Sequence, residues 1–180
     1  MTEFTIIQGC IEGDVRCQRK LFEQYAGKMM LVCLRYATDY MEAEDILQNG
    51  FVKVFRHLTQ FKHEGSFEGW IRRVIVNTAL KYCRRKRIHF DELTPDMPHL
   101  PQIEPYVYTR MGESDLLHLI RQLPEGYRLV FNLHVIEGYS HEEIAGMLGI
   151  QDSTSRSQLV KARRLLQQAI TSMHKTTIAV

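Results

Sequence analysis

Hydrophobic positions along the chain recur at three- and four-residue spacing and nowhere alternate with period two. That pattern predicts helices and argues against strands. Ala43, Leu47, Phe51, Val54 and Leu58 form one apolar stripe. After the break FKHEGS, Phe67, Ile71, Val74, Ile75, Thr78 and Tyr82 form another. Upstream, Leu21, Tyr25, Met29 and Val32 to Tyr36 fit one or two further helices. Later in the chain the punctuation is sharper. Asp115 to Leu123 is a short periodic run halted before Pro124. Pro124 suits the first position of a helix running to Glu137 and stopping at Gly138. Ser140 and Glu143 have capping-box spacing, so a third helix starts there and ends at Gly149. Ile150 is expected as a buried plug in the turn, with Asp152 or Ser153 capping a last helix to about Thr171. Two helices joined by so short a turn make a helix-turn-helix.

Four of the five prolines, Pro95, Pro98, Pro101 and Pro105, fall within DELTPDMPHLPQIEP. Proline at that spacing removes donors and forbids helix. Residues 89–112 therefore read as an extended linker, reaching at most roughly 80–90 Å. The expected architecture is all-α: two small helical domains, residues 1–88 and 113–180, joined by a Pro-rich extended linker. Each domain can bury only a modest core, and a bundle is the economical solution.

Composition narrows the function classes. With 44% hydrophobic and 24% charged residues, wholesale disorder is excluded. No apolar run approaches the ~18 residues of a membrane span, and MTEFTIIQGCIEGD has no basic stretch ahead of an apolar core. Cys10, Cys17, Cys33 and Cys83 lie far apart with no CxxC pair. That excludes a disulfide scaffold and a zinc site readable from spacing, and fits a reducing cytoplasm. A cytoplasmic protein with no membrane insertion, metal or cofactor is expected. Charge is segmented. Residues 1–90 carry 15 basic against 10 acidic side chains, residues 91–112 one against four, and residues 113–180 seven against seven. Two basic segments flanking an acidic one suit a polyanion met at two places, and equally suit two solvated helix faces.

On the last helix, Ser155, Leu159, Ala162 and Leu166 cluster on one side. Opposite lie Ser153, Thr154, Ser157, Lys161, Arg164 and Gln168, with Arg156 and Val160 on a flank. Hydroxyls, amides and cations without a carboxylate suit a helix in a DNA major groove; a solvated face is the plainer alternative. The helix Phe67–Arg87 presents Arg73, Val76, Asn77, Leu80, Arg84 and Arg87 opposite its inner stripe. Val76 and Leu80 are expected exposed among cations, a mixture suited to phosphates and unstacked bases. The preceding loop carries Phe61, His63 and Ser66. Phe61 could wall a pocket for an extruded base or simply anchor the core, and Trp70 reads as core. The helix Met41–Leu58 turns outward Asp45, Gln48, Asn49, Val52 and Arg56. That face reads either as a protein contact or as solvated surface. Gly50 within it has no evident reason.

Taken together, these segments resemble bacterial sigma factors of the extracytoplasmic-function group, within the sigma-70 family. MEAEDILQNGFVKVFRHL is similar to the region-two helix that docks on the RNA polymerase clamp, and FEGWIRRVIVNTALKYCRRKR to the helix that opens and reads the minus-ten element. LPEGYRLVFNLHVIEGYSHEEIAGMLGIQDSTSRSQLVKARRLL is similar to the region-four helix-turn-helix that reads the minus-thirty-five element. The resemblance implies polymerase binding through Asp45, Gln48 and Val52. It implies promoter melting and minus-ten contact through Phe61, Ser66, Arg73, Asn77, Leu80, Arg84 and Arg87. It implies minus-thirty-five contact through Ser153, Thr154, Arg156, Ser157, Val160, Lys161 and Arg164. The implied partners are the clamp and flap of core RNA polymerase, promoter DNA and, for many members, an anti-sigma factor. The acidic linker resembles the segment that threads toward the polymerase active-site cleft. The chain departs from the family pattern at Asn49, Gly50 and Gln151, and at Ser155, where an apolar residue is usual.

The alternative is a stand-alone helix-turn-helix regulator. Such proteins normally dimerise to meet two half-sites, but no heptad seam is present and the basic helix of the first domain would be unexplained. No HExxH, Gly-rich phosphate loop or framed nucleophile favours an enzyme, so no catalytic residue is expected.

Overall fold

The structure is a computed structural model that describes residues 2–91 and 113–178, with side chains placed over 2–85 and 115–172. Most of the expected linker, from residue 92 onward, and the side chain of Arg87 lie outside the described residues. The chain divides into two compact units, Met1–Thr94 and Pro95–Val180.

The first unit contains α1 (Glu3–Ile11), α2 (Val15–Tyr36), α3 (Tyr40–His57), a 3-10 turn (Leu58–Gln60) and α4 (Phe67–Asp91). Short polar side chains start each helix by accepting an amide that has no partner within it. Thr2 Oγ1 accepts from Thr5 N at 3.3 Å, Asp14 from Arg16 N at 2.8 Å, Asp39 from Glu42 N at 2.8 Å, and Ser66 Oγ from Gly69 N at 3.0 Å. α2, α3 and α4 pack mutually, and α1 lies against α2 and the 3-10 turn. Leu21, Met29, Tyr36, Ile46, Phe67, Ile71 and Ile75 are buried between them. The stripe at Leu21, Tyr25 and Met29 belongs to one long helix. α4 continues to Asp91, past its expected end at Arg87.

Gly50 has a reason after all. It is buried where α3 crosses α4, and a Cβ there would collide with Ile75 Cδ1. α4 also corrects the expectation for Val76 and Leu80. Both are buried, at 1% and 9% exposure, with Ala79 and Cys83 beside them. α4 packs on two helices rather than one, so its inner arc is wider than a single stripe.

The second unit contains α5 (Glu113–Gln122), α6 (Glu125–Phe131), a π-helical segment (Asn132–Ile136), α7 (His141–Leu148) and α8 (Asp152–Ile178). Pro124 stands just before α6 rather than as its first residue. The single helix expected to Glu137 widens instead into the π segment, closed by Glu137 N donating to Asn132 O at 2.9 Å. Gly138 then turns the chain with φ 81°. The capping box is formed: Ser140 Oγ accepts from Glu143 N at 3.2 Å, and Glu143 accepts from Ser140 N at 2.8 Å. α7 ends at Gly149, whose left-handed φ of 69° suits glycine. Ile150 is half-buried rather than a full plug. Gln151 O accepts from Ser155 N at 3.0 Å, so the α8 ladder begins one residue before the expected cap. α8 also runs beyond Thr171 to Ile178. Leu119, Ile120, Leu123, Ala162 and Leu166 form the core around it, with Tyr127, Phe131 and Ile170 packed against them. Among the described residues, no helix is long and apolar enough to cross a membrane.

Candidate nucleic-acid and protein interfaces

On α4, the exposed side chains are confined to one strip. Gly69, Arg73, Asn77, Lys81 and Arg85 follow one another at four-residue spacing along it, with Arg84 alongside. Four-residue spacing places these side chains in a row. The strip holds one amide among cations and no carboxylate. Arg73, Asn77 and Arg84 thus stand where the sequence put them, whereas Leu80 belongs to the core. Lys81 was missed, although its spacing from Asn77 marks it.

The loop before α4 is built on aromatic packing. Phe61 is buried, at 8% exposure. Its ring lies 4.7 Å from His63, 5.0 Å from Phe67 and 5.8 Å from Trp70, centroid to centroid. Of the two readings of Phe61, its burial and ring contacts support the core anchor. Trp70 is half-buried and stacks on Phe67. His63 is the exposed aromatic ring of the loop. It holds a left-handed φ of 56° and sits 5.8 Å from the ring of Phe4 on α1. Ser66 is exposed, but its hydroxyl caps α4.

On α3, Asp45, Gln48 and Val52 are all exposed and share one face, with Val52 at 48%. Asn49 turns its amide back onto Asp45 O at 2.8 Å. Behind this face, Lys53 donates to Thr78 Oγ1 on α4 at 2.9 Å. Its ammonium is held below the usual lysine range by burial and by nearby Lys81 and Arg85.

On α8, Ser153, Arg156, Ser157, Val160, Lys161 and Arg164 are exposed and Thr154 is half-buried. Val160 is 66% exposed, an apolar group with no packing duty. Arg156 Nε pairs with Asp152 at 2.9 Å, so this cation has a carboxylate opposite it. Lys161 Nζ lies 6.0 Å from the centre of the Tyr127 ring, the outer limit of a cation–π contact. Gly126 permits close approach of α6 to α8, since a Cβ would come within 3.1 Å of Gln158. The inner face is apolar except at Ser155, which is fully buried. Ser155 Oγ lies 2.9 Å from His141 Nδ1 on α7. The sequence marked Ser155 as unusual but gave no sign of its partner.

The family description "Sigma-70 region 2" matches residues 21–88, covering most of α2 through α4. "Sigma-70, region 4" matches residues 113–166, covering α5 into α8. The ECF RNA polymerase sigma factor SigE of Mycolicibacterium smegmatis is 33% identical over 82% of this chain, which spans 59% of that relative's length. The RNA polymerase sigma-H factor of Pseudomonas aeruginosa is 27% identical over 92% of each chain. Among solved structures, the sigma factor RpoE of Bartonella quintana, crystallised with the anti-sigma factor NepR, superposes with a TM-score of 0.55. That match has 18% identity and covers 85% of this chain and 96% of that one, a likeness of fold. With both regions present in order, the chain belongs to the sigma-70 family, in its extracytoplasmic-function group.

Proposed function

We infer that this chain is a promoter-specificity subunit that binds core RNA polymerase and directs initiation at particular promoters, itself making and breaking no bonds. The observation that carries the reading is the pair of carboxylate-poor basic faces, one on α4 and one on α8, in two separately folded units. A single polyanion with two spaced elements is the natural target of such a chain.

In this reading residues 1–88 bind the polymerase clamp through Asp45, Gln48 and Val52 and handle the downstream element. Arg73, Asn77, Lys81, Arg84 and Arg85 track the opened strand, and the amide of Asn77 reads a base edge. Residues 113–180 read the upstream element and face the polymerase flap. Ser157 and Val160 meet base edges while Lys161 and Arg164 meet phosphates. Residues 89–112 span the distance between the two elements. The protein works in the cytoplasm, and an anti-sigma factor is a natural partner.

Run-off transcription with core polymerase, followed by mapping of start sites, tests the reading. Discrete starts that depend on this chain are expected. Sequence-specific binding to duplex DNA by the chain alone, with no association with core polymerase, would favour a stand-alone regulator.

A further inference from the structure

The second unit contains a polar cluster behind the face assigned to DNA. His134 in the π segment and His141 in the first turn of α7 stack face to face, with ring centroids 4.3 Å apart and planes 13° apart. Each ring is anchored through Nδ1. His134 Nδ1 lies 2.9 Å from the carbonyl oxygen of Tyr139. A carbonyl only accepts, so this nitrogen carries the proton. His141 Nδ1 makes its 2.9 Å contact with Ser155 Oγ. Ser155 is buried to 0% exposure on the inner side of α8, beside Arg156 and two residues before Ser157. A buried hydroxyl needs a partner that an apolar side chain would not. The bond therefore ties the first helix of the helix-turn-helix to the second, at the level of the residues offered to DNA.

We propose that His141 is a positioning residue for promoter reading: its uncharged ring, stacked on His134, holds Ser155 and seats α8, and protonation of His141 releases that seat. The proposal rests on the promoter-reading assignment above. The surroundings of His141 oppose a cation. Burial, the stacked His134, Arg156 and Arg163 all hold its pKa below the ordinary 6.5, and only Asp152 acts the other way. Asp152 is itself engaged by Arg156 at 2.9 Å. The N-terminal end of α7 further disfavours positive charge there. The folded unit thus takes up a proton on His141 less readily than an opened one. The stabilisation is complete above pH 6.5 and is lost as pH falls through the lower folded value. General electrostatics predicts a different outcome, since added imidazolium charge tightens binding to every DNA alike. Discrimination between sequences separates the two.

The test uses the full chain loaded on core polymerase. The ratio of affinities for a promoter duplex and for one with a scrambled upstream element is measured at about pH 7.5 and about pH 5.5, either side of the ordinary histidine range. In acid the ratio should fall about fivefold or more, the low end of ordinary coupling between sites. It should stay flat in His141→Asn, whose amide does not titrate. A preference in the wild type that does not change with pH overturns the proposal. A ratio near unity at every pH overturns the promoter-reading assignment instead. In that case a measurement without DNA decides the coupling. By NMR, the backbone amides of residues 152–160 should titrate together with the His141 ring in the wild type and lose that link in Ser155→Ala. Silent amides beside a titrating His141 ring would overturn it.

Discussion

At Gly50 the absence of one carbon atom determines how closely α3 meets α4. Alanine favours helix by up to ~1 kcal/mol over glycine, yet here its Cβ would meet the buried tip of Ile75. Overpacking of that kind costs roughly 1–3 kcal/mol. Gly50→Ala should therefore lower stability in urea unfolding, and adding Ile75→Val, which deletes the offending carbon, should restore much of the loss. A further loss in the double variant would rule out the clash as the cause. Phe61 makes the second case. With its ring in the core, Phe61→Ala should destabilise the first unit by about 3 kcal/mol or more, seen as a lowered thermal midpoint. A promoter-opening defect in that variant would then say little about base contact. His63 is the better probe. Asparagine tolerates the left-handed φ of 56°, so His63→Asn should fold normally. Permanganate footprinting would then show whether the exposed ring assists opening, with weaker thymine reactivity expected.

A helix that buries a narrow arc advertises its stripe, and one that buries a wide arc does not. The stripe of α3 is legible because Ala43, Leu47, Phe51 and Val54 all face inward and Asp45, Gln48 and Val52 all face out. α4 was half legible. Its polar residues Arg73, Asn77 and Arg84 were placed correctly, but Val76 and Leu80 look exposed until both α2 and α3 are known to cover it. The capping box and Gly149 stop were readable because both are local chemistry. The π segment was not, since nothing in NLHVI distinguishes it from an ordinary turn of helix. Nor was the His141–Ser155 bond, whose partners lie 14 residues apart on different helices. Two predictions belong to these faces. Asp45→Arg with Gln48→Ala alters only exposed groups, so stability should move by roughly 0.5 kcal/mol or less, while pull-down of core polymerase should fail; pull-down at full affinity would remove α3 from the contact. On α8, Val160→Ala should leave folding unchanged and relax preference at one base pair by ~1–3 kcal/mol, whereas Lys161→Ala should weaken all sequences alike and reduce the salt slope by about one.

Across the whole molecule, the two units carry very different side-chain chemistry. All four cysteines, Cys10, Cys17, Cys33 and Cys83, are buried and confined to the first unit. Burial is the main reason the Cys10 thiol is pushed up to about 11 and that of Cys33 to about 12, from 9.0. An opened chain releases those protons more readily than the folded one. The stabilisation is thus whole below pH 9.0 and is lost as pH rises toward 11 and 12. The first unit should accordingly melt at lower temperature in alkali, a trend absent if the thiols are already solvated. The same placement makes the chain its own stopwatch. A thiol-specific reagent at neutral pH can modify these sulfurs only while the first unit is open, so the rate of labelling reads how often that unit opens. The second unit, with no cysteine of its own, stays silent on that clock. Adding core polymerase should then slow the labelling by as much as it steadies the first unit, which turns an ordinary chemical quench into a measure of how firmly one half of the chain is held in the assembled enzyme.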